Sequence, residues 1–194
     1  KFLLLMFSGV LVALPIVWNS LYDYQRQRVL TLLDPSSDPL GAGFHTLQAI
    51  IAIGSGGMTG KGWMNGTQAH LDFIPERTSD FLFAVFSEEF GFFGDICLLG
   101  LYTLLIMRAL YIASVANTVF DRLLACAIAT IFLIYSFVNM GMVSGILPVV
   151  GVPLPFMSYG GTALLILGIC CGLLMKISAQ RRIKVSLYGD DYRS

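Results

Sequence analysis

LLACAIATIFLIYSFVNMGMVSGILPVVGVPLPFMSYGGTALLILGICCGLLM, Leu123 to Met175, runs 53 residues without a charged side chain. As one helix it would be about 80 Å long, against a bilayer core of about 30 Å. It must therefore fold back. The point of return is written in Gly141, Gly145, Pro148, Gly151, Pro153, Pro155 and Ser158-Tyr159-Gly160-Gly161. Prolines remove backbone donors and glycines permit unusual dihedrals, so this is a loop between two spans. Unpaired backbone cannot face lipid, so the loop is buried in protein or lies at a wet surface.

Two further apolar runs precede it. Phe2 to Trp18 carries no charge, Pro15 is positioned to kink it, and Trp18, Tyr22 and Tyr24 suit the interface beyond. A secretory signal is the competing reading, but no small-residue cleavage site follows. Phe90 to Val115 holds Asp95 near its start and Arg108 towards its end, where the long side chain can snorkel. The chain thus reads as one all-α, polytopic membrane domain. Its spans are 1–20, 90–115, 119–143 and 162–177. An outer segment, 21–89, includes the start of the second helix; a Pro/Gly-rich outer loop, 144–161, and a tail, 178–194, complete it.

Composition agrees. Hydrophobic residues make up 56% and charged residues 12%, about half the roughly 25% usual for soluble domains. Twelve basic and twelve acidic residues cancel, leaving no global field for nucleic acid. Cys97, Cys126, Cys170 and Cys171 lie in apolar runs without a CxxC pair, as buried or lipid-facing thiols do. Arg108, Arg122, Lys176, Arg181, Arg182 and Lys184 fall on one side of the four spans, together with Lys1. The positive-inside rule makes that side cytoplasmic and turns 21–89 outward.

The outer segment is long for a connection, and such segments usually carry structure or function. Leu33 to Pro39 reads as turns. Phe44 to Ile53 suits a helix lying in the interface. Gly54-Ser55-Gly56-Gly57 has no GxxxxGK[ST] match and no preceding buried strand, so it reads as a turn, not a nucleotide loop. His45 and His70 form no metal-site pattern.

Within that segment, WMNGTQAHLDFIPERTSDFLFAVFSEEFG (Trp63–Gly91) gathers Gln68, Asp72, Glu76, Arg77, Asp80, Glu88 and Glu89 just before an apolar run. Polar groups at a membrane boundary are costly to desolvate and mark function. Ser79 or Asp80 could cap a helix starting near Phe81. Asp80 could equally be a catalytic or binding carboxylate, a general base towards a hydroxyl. Glu76 and Arg77 could form a surface pair. Glu88 and Glu89 could face water, pair with a partner or sit in a cavity between helices. Nearby Arg and Lys could hold a phosphate leaving group.

Three stretches in order carry a resemblance: LLDPSSDPLGAGFHTLQAIIAIGSGGMTGKGWMNGTQ, FIPERTSDFLFAVFSEEFGFFG and FVNMGMVSGILPVVGVPLPFMSYGGTALL. They resemble the SEDS family (shape, elongation, division and sporulation). Gly66-Thr67-Gln68 and the FIPER run are closer to its RodA branch than to its division counterpart FtsW. The resemblance implies a peptidoglycan glycosyltransferase of the rod-shape elongation machinery. Such proteins polymerise lipid II on the outer face of the bacterial cytoplasmic membrane.

On that resemblance the family's essential loop aspartate falls on Asp80, as general base for the acceptor sugar's 4-hydroxyl. Undecaprenyl diphosphate is the leaving group. Glu76, Arg77, Lys61 and Gln68 are the implied substrate contacts, and Ser158 and Gly160 belong to the loop roofing the cavity. A divalent cation, magnesium or manganese, is the cofactor the resemblance leaves open, although the sequence shows no dedicated metal cage. The implied partners are undecaprenyl-diphosphate-linked glycan and a class B penicillin-binding protein.

The chain departs from the family at two points. Thr78-Ser79 stands where relatives commonly have His-Thr, which removes any role of that imidazole. The chain also matches only the C-terminal portion of a fold of about ten spans, so it is expected to be inactive alone. A non-catalytic scaffold for a penicillin-binding protein and a lipid II flippase are the competing classes.

Overall fold

A computed structural model describes residues 19–34, 42–66 and 79–190. The expected first span therefore lies outside the described residues. The described elements are all helical: α1 (Asp23–Leu33), α2 (Ala42–Gly56), α3 (Leu82–Ser114), α4 (Val119–Val143) and α5 (Gly161–Asp190). Three of them are long and apolar enough to cross a membrane: Leu82–Ser114, Val119–Val143 and Gly161–Gln180.

Local chemistry sets the ends. Asp23 opens α1, and the Gln25 side chain accepts from the Tyr22 amide at 3.1 Å. Thr118 caps α4 by accepting from the Asp121 amide at 3.0 Å, while its hydroxyl donates to that carboxylate at 2.8 Å. The C-terminus of α4 closes on Gly145 at φ +73. Ile146 N reaches Gly141 O at 2.9 Å and Gly145 N reaches Met142 O at 3.1 Å, the paired bonds of a Schellman motif.

The helices pack in two layers of core. Ala109, Ile112 and Ala113 of α3 meet Ala125, Ile128 and Phe132 of α4 and Leu167, Cys170 and Leu174 of α5. At the other end, Phe83, Ala84 and Leu98 of α3 meet Ala49 and Ala52 of α2, with Met142 and Val143 of α4. Late α3 thus faces early α4, and early α3 faces late α4, so these two run antiparallel. Alanines fill the contacts because small side chains let apolar helices approach.

Three features differ from the sequence reading. Asp23–Leu33 is helical where only loop was expected. The Phe44–Ile53 stretch is the expected helix, and it also packs into the core with Ala49 and Ala52 fully buried, which the sequence reading did not include. The backbone of α5 stays helical through the expected tail to Asp190, since Gln180 to Ser186 offers no proline or glycine to stop it.

α3 is interrupted at Gly91, whose φ 65 and ψ −167 are not helical. Segment 57–62 is bonded into the break. Phe92 N donates to Gly57 O at 2.9 Å and Phe93 N to Met58 O at 3.2 Å. In return, Lys61 N and Gly62 N donate to Glu88 O and Glu89 O, each at 3.0 Å. Backbone groups freed by a broken helix must be satisfied within the protein, and here an adjacent loop does it.

Two glycines make this approach possible. A Cβ on Gly60 would strike the Glu89 carbonyl, and one on Gly91 would strike Gly60 N and lie 2.9 Å from the Met58 and Thr59 carbonyl carbons. Gly91→Ala is therefore expected to undock the segment. Backbone strain alone costs about 1–3 kcal/mol, to which the overlap adds. Thermal unfolding of the purified full-length protein should show a clearly lower midpoint; an unchanged midpoint would refute the docking.

Candidate functional site

Asp80 stands one residue before the N-cap of α3, which falls on Phe81 and carries no side-chain capping bond. The helix therefore starts where the sequence placed it, but Phe81, not Ser79 or Asp80, holds the cap position. Asp80 is half-buried. Its backbone carbonyl accepts from Asn139 Nδ2 at 2.9 Å. Its Oδ2 lies 3.1 Å from where a Cβ would stand on Gly151. Gly151 has φ +78, so it both allows the turn and leaves room for the carboxylate.

The Pro/Gly-rich loop is tied to the helices at two points and braced by a bond within itself. Asn139 Nδ2 donates to Val152 O at 2.6 Å. The Tyr102 hydroxyl of α3 donates to Pro155 O at 2.6 Å. Ser158 Oγ accepts from Leu154 N at 2.8 Å. Ser158 is 3% exposed, so it shapes the loop from beneath, which is a wall's position and not an open contact. Gly160 is half-buried, and its carbonyl accepts from Leu164 N at 3.0 Å in the first turn of α5.

Segment 57–66 packs against the first turns of α3. Lys61 Nζ meets Glu88 Oε1 at 2.7 Å, with side chains 29% and 0% exposed respectively. Ser55 Oγ stands 3.4 Å from the same oxygen. Glu89 accepts from the Met64 amide at 3.2 Å. Across the break, Ser87 donates to Asp95, eight residues further along α3, at 2.7 Å. Of the options left open for Glu88, the structure selects the buried ion pair, and Lys61 is the partner. Trp63 and Phe90 cover the crossing edge to face, with centroids 5.8 Å apart.

The sequence-expected contacts Glu76, Arg77 and Gln68 lie outside the described residues. Asp80, Lys61, Ser158 and Gly160 are described, and all belong to the end of the bundle where α3 starts and α4 finishes. Sequence reasoning did not single out Asn139. A signal was present, because it is the lone amide side chain between Leu123 and Met175. Among the described residues, no three His, Cys, Asp or Glu side chains stand close enough to hold a metal ion. No step proposed below runs through a cation.

A carboxylate, a paired lysine and a tethered loop thus lie towards one end of the bundle. A family model described as a cell cycle protein, FtsW/RodA/SpoVE, matches residues 1–183. The chain belongs to this family.

The FtsW/RodA/SpoVE relatives it resembles include the peptidoglycan glycosyltransferase MrdB of Escherichia coli K12. That protein is 59% identical over 177 residues, covering 90% of this chain and 48% of MrdB. The peptidoglycan glycosyltransferase RodA of Treponema pallidum is 43% identical, over 83% of this chain and 37% of its own length. A solved structure, described as "Structural coordination of polymerization and crosslinking by a peptidoglycan synthase complex", superposes with a TM-score of 0.72. It is 34% identical and covers 92% of this chain and 48% of that one. The chain thus spans about half the length of the family members it matches.

Proposed function

We propose that this chain is the catalytic-aspartate half of a peptidoglycan glycosyltransferase that polymerises lipid II. The observation that carries the reading is Asp80: a half-buried carboxylate fixed at a helix mouth, in a chain 59% identical to MrdB. In the complete protein, the Asp80 carboxylate takes the proton from the acceptor sugar's 4-hydroxyl as its oxygen attacks the donor's anomeric carbon. The bond from that carbon to undecaprenyl diphosphate breaks, and the electron pair leaves on the diphosphate. A positioned base of this kind contributes about 10²–10⁴-fold.

The surroundings suit the substrate. Lys61, partly exposed and paired with Glu88, stands towards the same end of the bundle. Between α3 and α4, a groove of about 330 Å³, lined by Leu99, Tyr102, Leu133, Phe137 and Met140 among others, offers an apolar wall for a prenyl chain. Glu76, Arg77 and Gln68 remain proposed substrate contacts. Magnesium or manganese remains a candidate aid to the leaving diphosphate.

Arg108, Arg122 and Lys176 sit towards the opposite end of the spans. By the positive-inside rule this distribution supports an outward-facing Asp80, on the outer face of the bacterial cytoplasmic membrane. A class B penicillin-binding protein is the proposed partner, since the similar solved chain belongs to a complex that couples polymerization to crosslinking.

The test is to reconstitute the full-length protein and its penicillin-binding partner in vesicles with lipid II. Glycan polymer is expected. Lipid II translocation without polymer would favour the flippase, and partner binding with neither would favour the scaffold.

A further inference from the structure

Asn139 is fully buried in α4, and its side-chain nitrogen bonds two backbone carbonyls at the site. Its Nδ2 donates to Asp80 O at 2.9 Å and to Val152 O at 2.6 Å. An amide nitrogen has two hydrogens, so both are committed. Turning the amide over would set Oδ1 against two carbonyl oxygens, so the chemistry fixes the orientation. Oδ1 is then left buried with no partner among the described residues.

This is not the pattern of a residue kept for packing. A buried acceptor without a donor is unfavourable, so the two bonds donated by the nitrogen must outweigh it. What the amide achieves is a bridge. One nitrogen holds the backbone of Asp80 and the backbone of Val152 together. Val152 adjoins Gly151, whose missing side chain makes room for Asp80 Oδ2. The carboxylate is thereby fixed relative to both the start of α3 and the Pro/Gly-rich loop.

We propose that Asn139 is a positioning residue for Asp80, setting the carboxylate's place against the Pro/Gly-rich loop. The proposal rests on the catalytic reading of Asp80 given above. Asn139 does not touch the reacting atoms; it acts through the aspartate. Displacement of a reacting group by about 1 Å costs on the order of 10²-fold, so losing the bridge should lower turnover more than substrate affinity.

The experiment measures glycan polymerisation by the full-length protein with its partner, comparing native, Asn139→Leu, Asp80→Asn and the double variant. Leu matches the amide in shape and suits an apolar helix. Asn139→Leu is expected to lower kcat by about 10–100-fold with KM little changed. In the double variant, the second substitution should add almost nothing to Asp80→Asn, because both act through one carboxylate. A purely structural role would not produce that non-additivity.

Native-like turnover in Asn139→Leu would overturn the proposal, as would additive losses. Asn139→Ser, smaller and still polar, covers a failure of the first variant to fold. If neither variant folds, the bridge serves the whole fold and the local role is refuted. If native protein polymerises and Asp80→Asn does not, yet Asn139→Leu behaves as native, this inference alone fails. If native protein makes no polymer, the catalytic reading fails, and this inference with it.

Discussion

Asp80→Asn in the full-length protein is expected to reduce glycan polymerisation by about 10²–10⁴-fold while leaving the fold and partner binding intact. The amide is nearly isosteric with the carboxylate. It keeps the backbone carbonyl that accepts from Asn139 at 2.9 Å, and it fits the same space beside Gly151. What it loses is the capacity to take a proton. Stability should fall by no more than about 1 kcal/mol, the usual reach of a carboxylate beside a helix N-terminus. Thermal unfolding and co-purification with the partner check that half of the expectation. A variant that fails to assemble would mean that Asp80 is chiefly structural.

Lys61→Met is expected to destabilise the protein far more than Glu88→Gln does. Glu88 is fully buried, whereas the Lys61 side chain is 29% exposed. Removing the ammonium leaves a charged carboxylate inside the protein without that partner, and breaking a buried pair in this way costs about 3–5 kcal/mol. The value should fall at the low end because one partner reaches water. Removing the carboxylate's charge instead leaves an ammonium that solvent can stabilise.

The double variant Lys61→Met with Glu88→Gln should regain most of the loss, since no buried charge remains. Unfolding midpoints of the three purified variants measure this. Equal losses in the two single variants, or no recovery in the double, would contradict the pair's asymmetry. The pair also anchors segment 57–62 in the break of α3, so its loss and that of Gly91 should undock the same loop.

Much of the bundle was legible because membrane spans announce themselves locally. The uncharged run from Leu123 to Met175 required a return, and the structure makes it after Val143, through Gly145, and resumes at Gly161. The start of α3 near Phe81 could also be read from the Ser79-Asp80 polar step before the apolar run. The site's wiring could not. Lys61 and Glu88 are 27 residues apart, and Asn139 and Asp80 are 59 apart. Such pairs arise from packing, not from any local period.

The break at Gly91 was hidden for a related reason. A lone glycine in an apolar helix is tolerated, and only the docked segment shows why this one departs from helical geometry. α1 escaped because its polar sequence lacks the periodic apolar stripe that marks a helix.

The central claim is that the Asp80 carboxylate performs the proton transfer in glycan polymerisation. The most direct measurement is the single-turnover rate of glycan-bond formation at saturating lipid II. It would compare native full-length protein with Asp80→Asn, each in complex with its partner. The expected result is a rate at least about 10²-fold lower for the variant, with equal lipid II binding. Equal rates would contradict the account and leave Asp80 with a structural place at the mouth of α3.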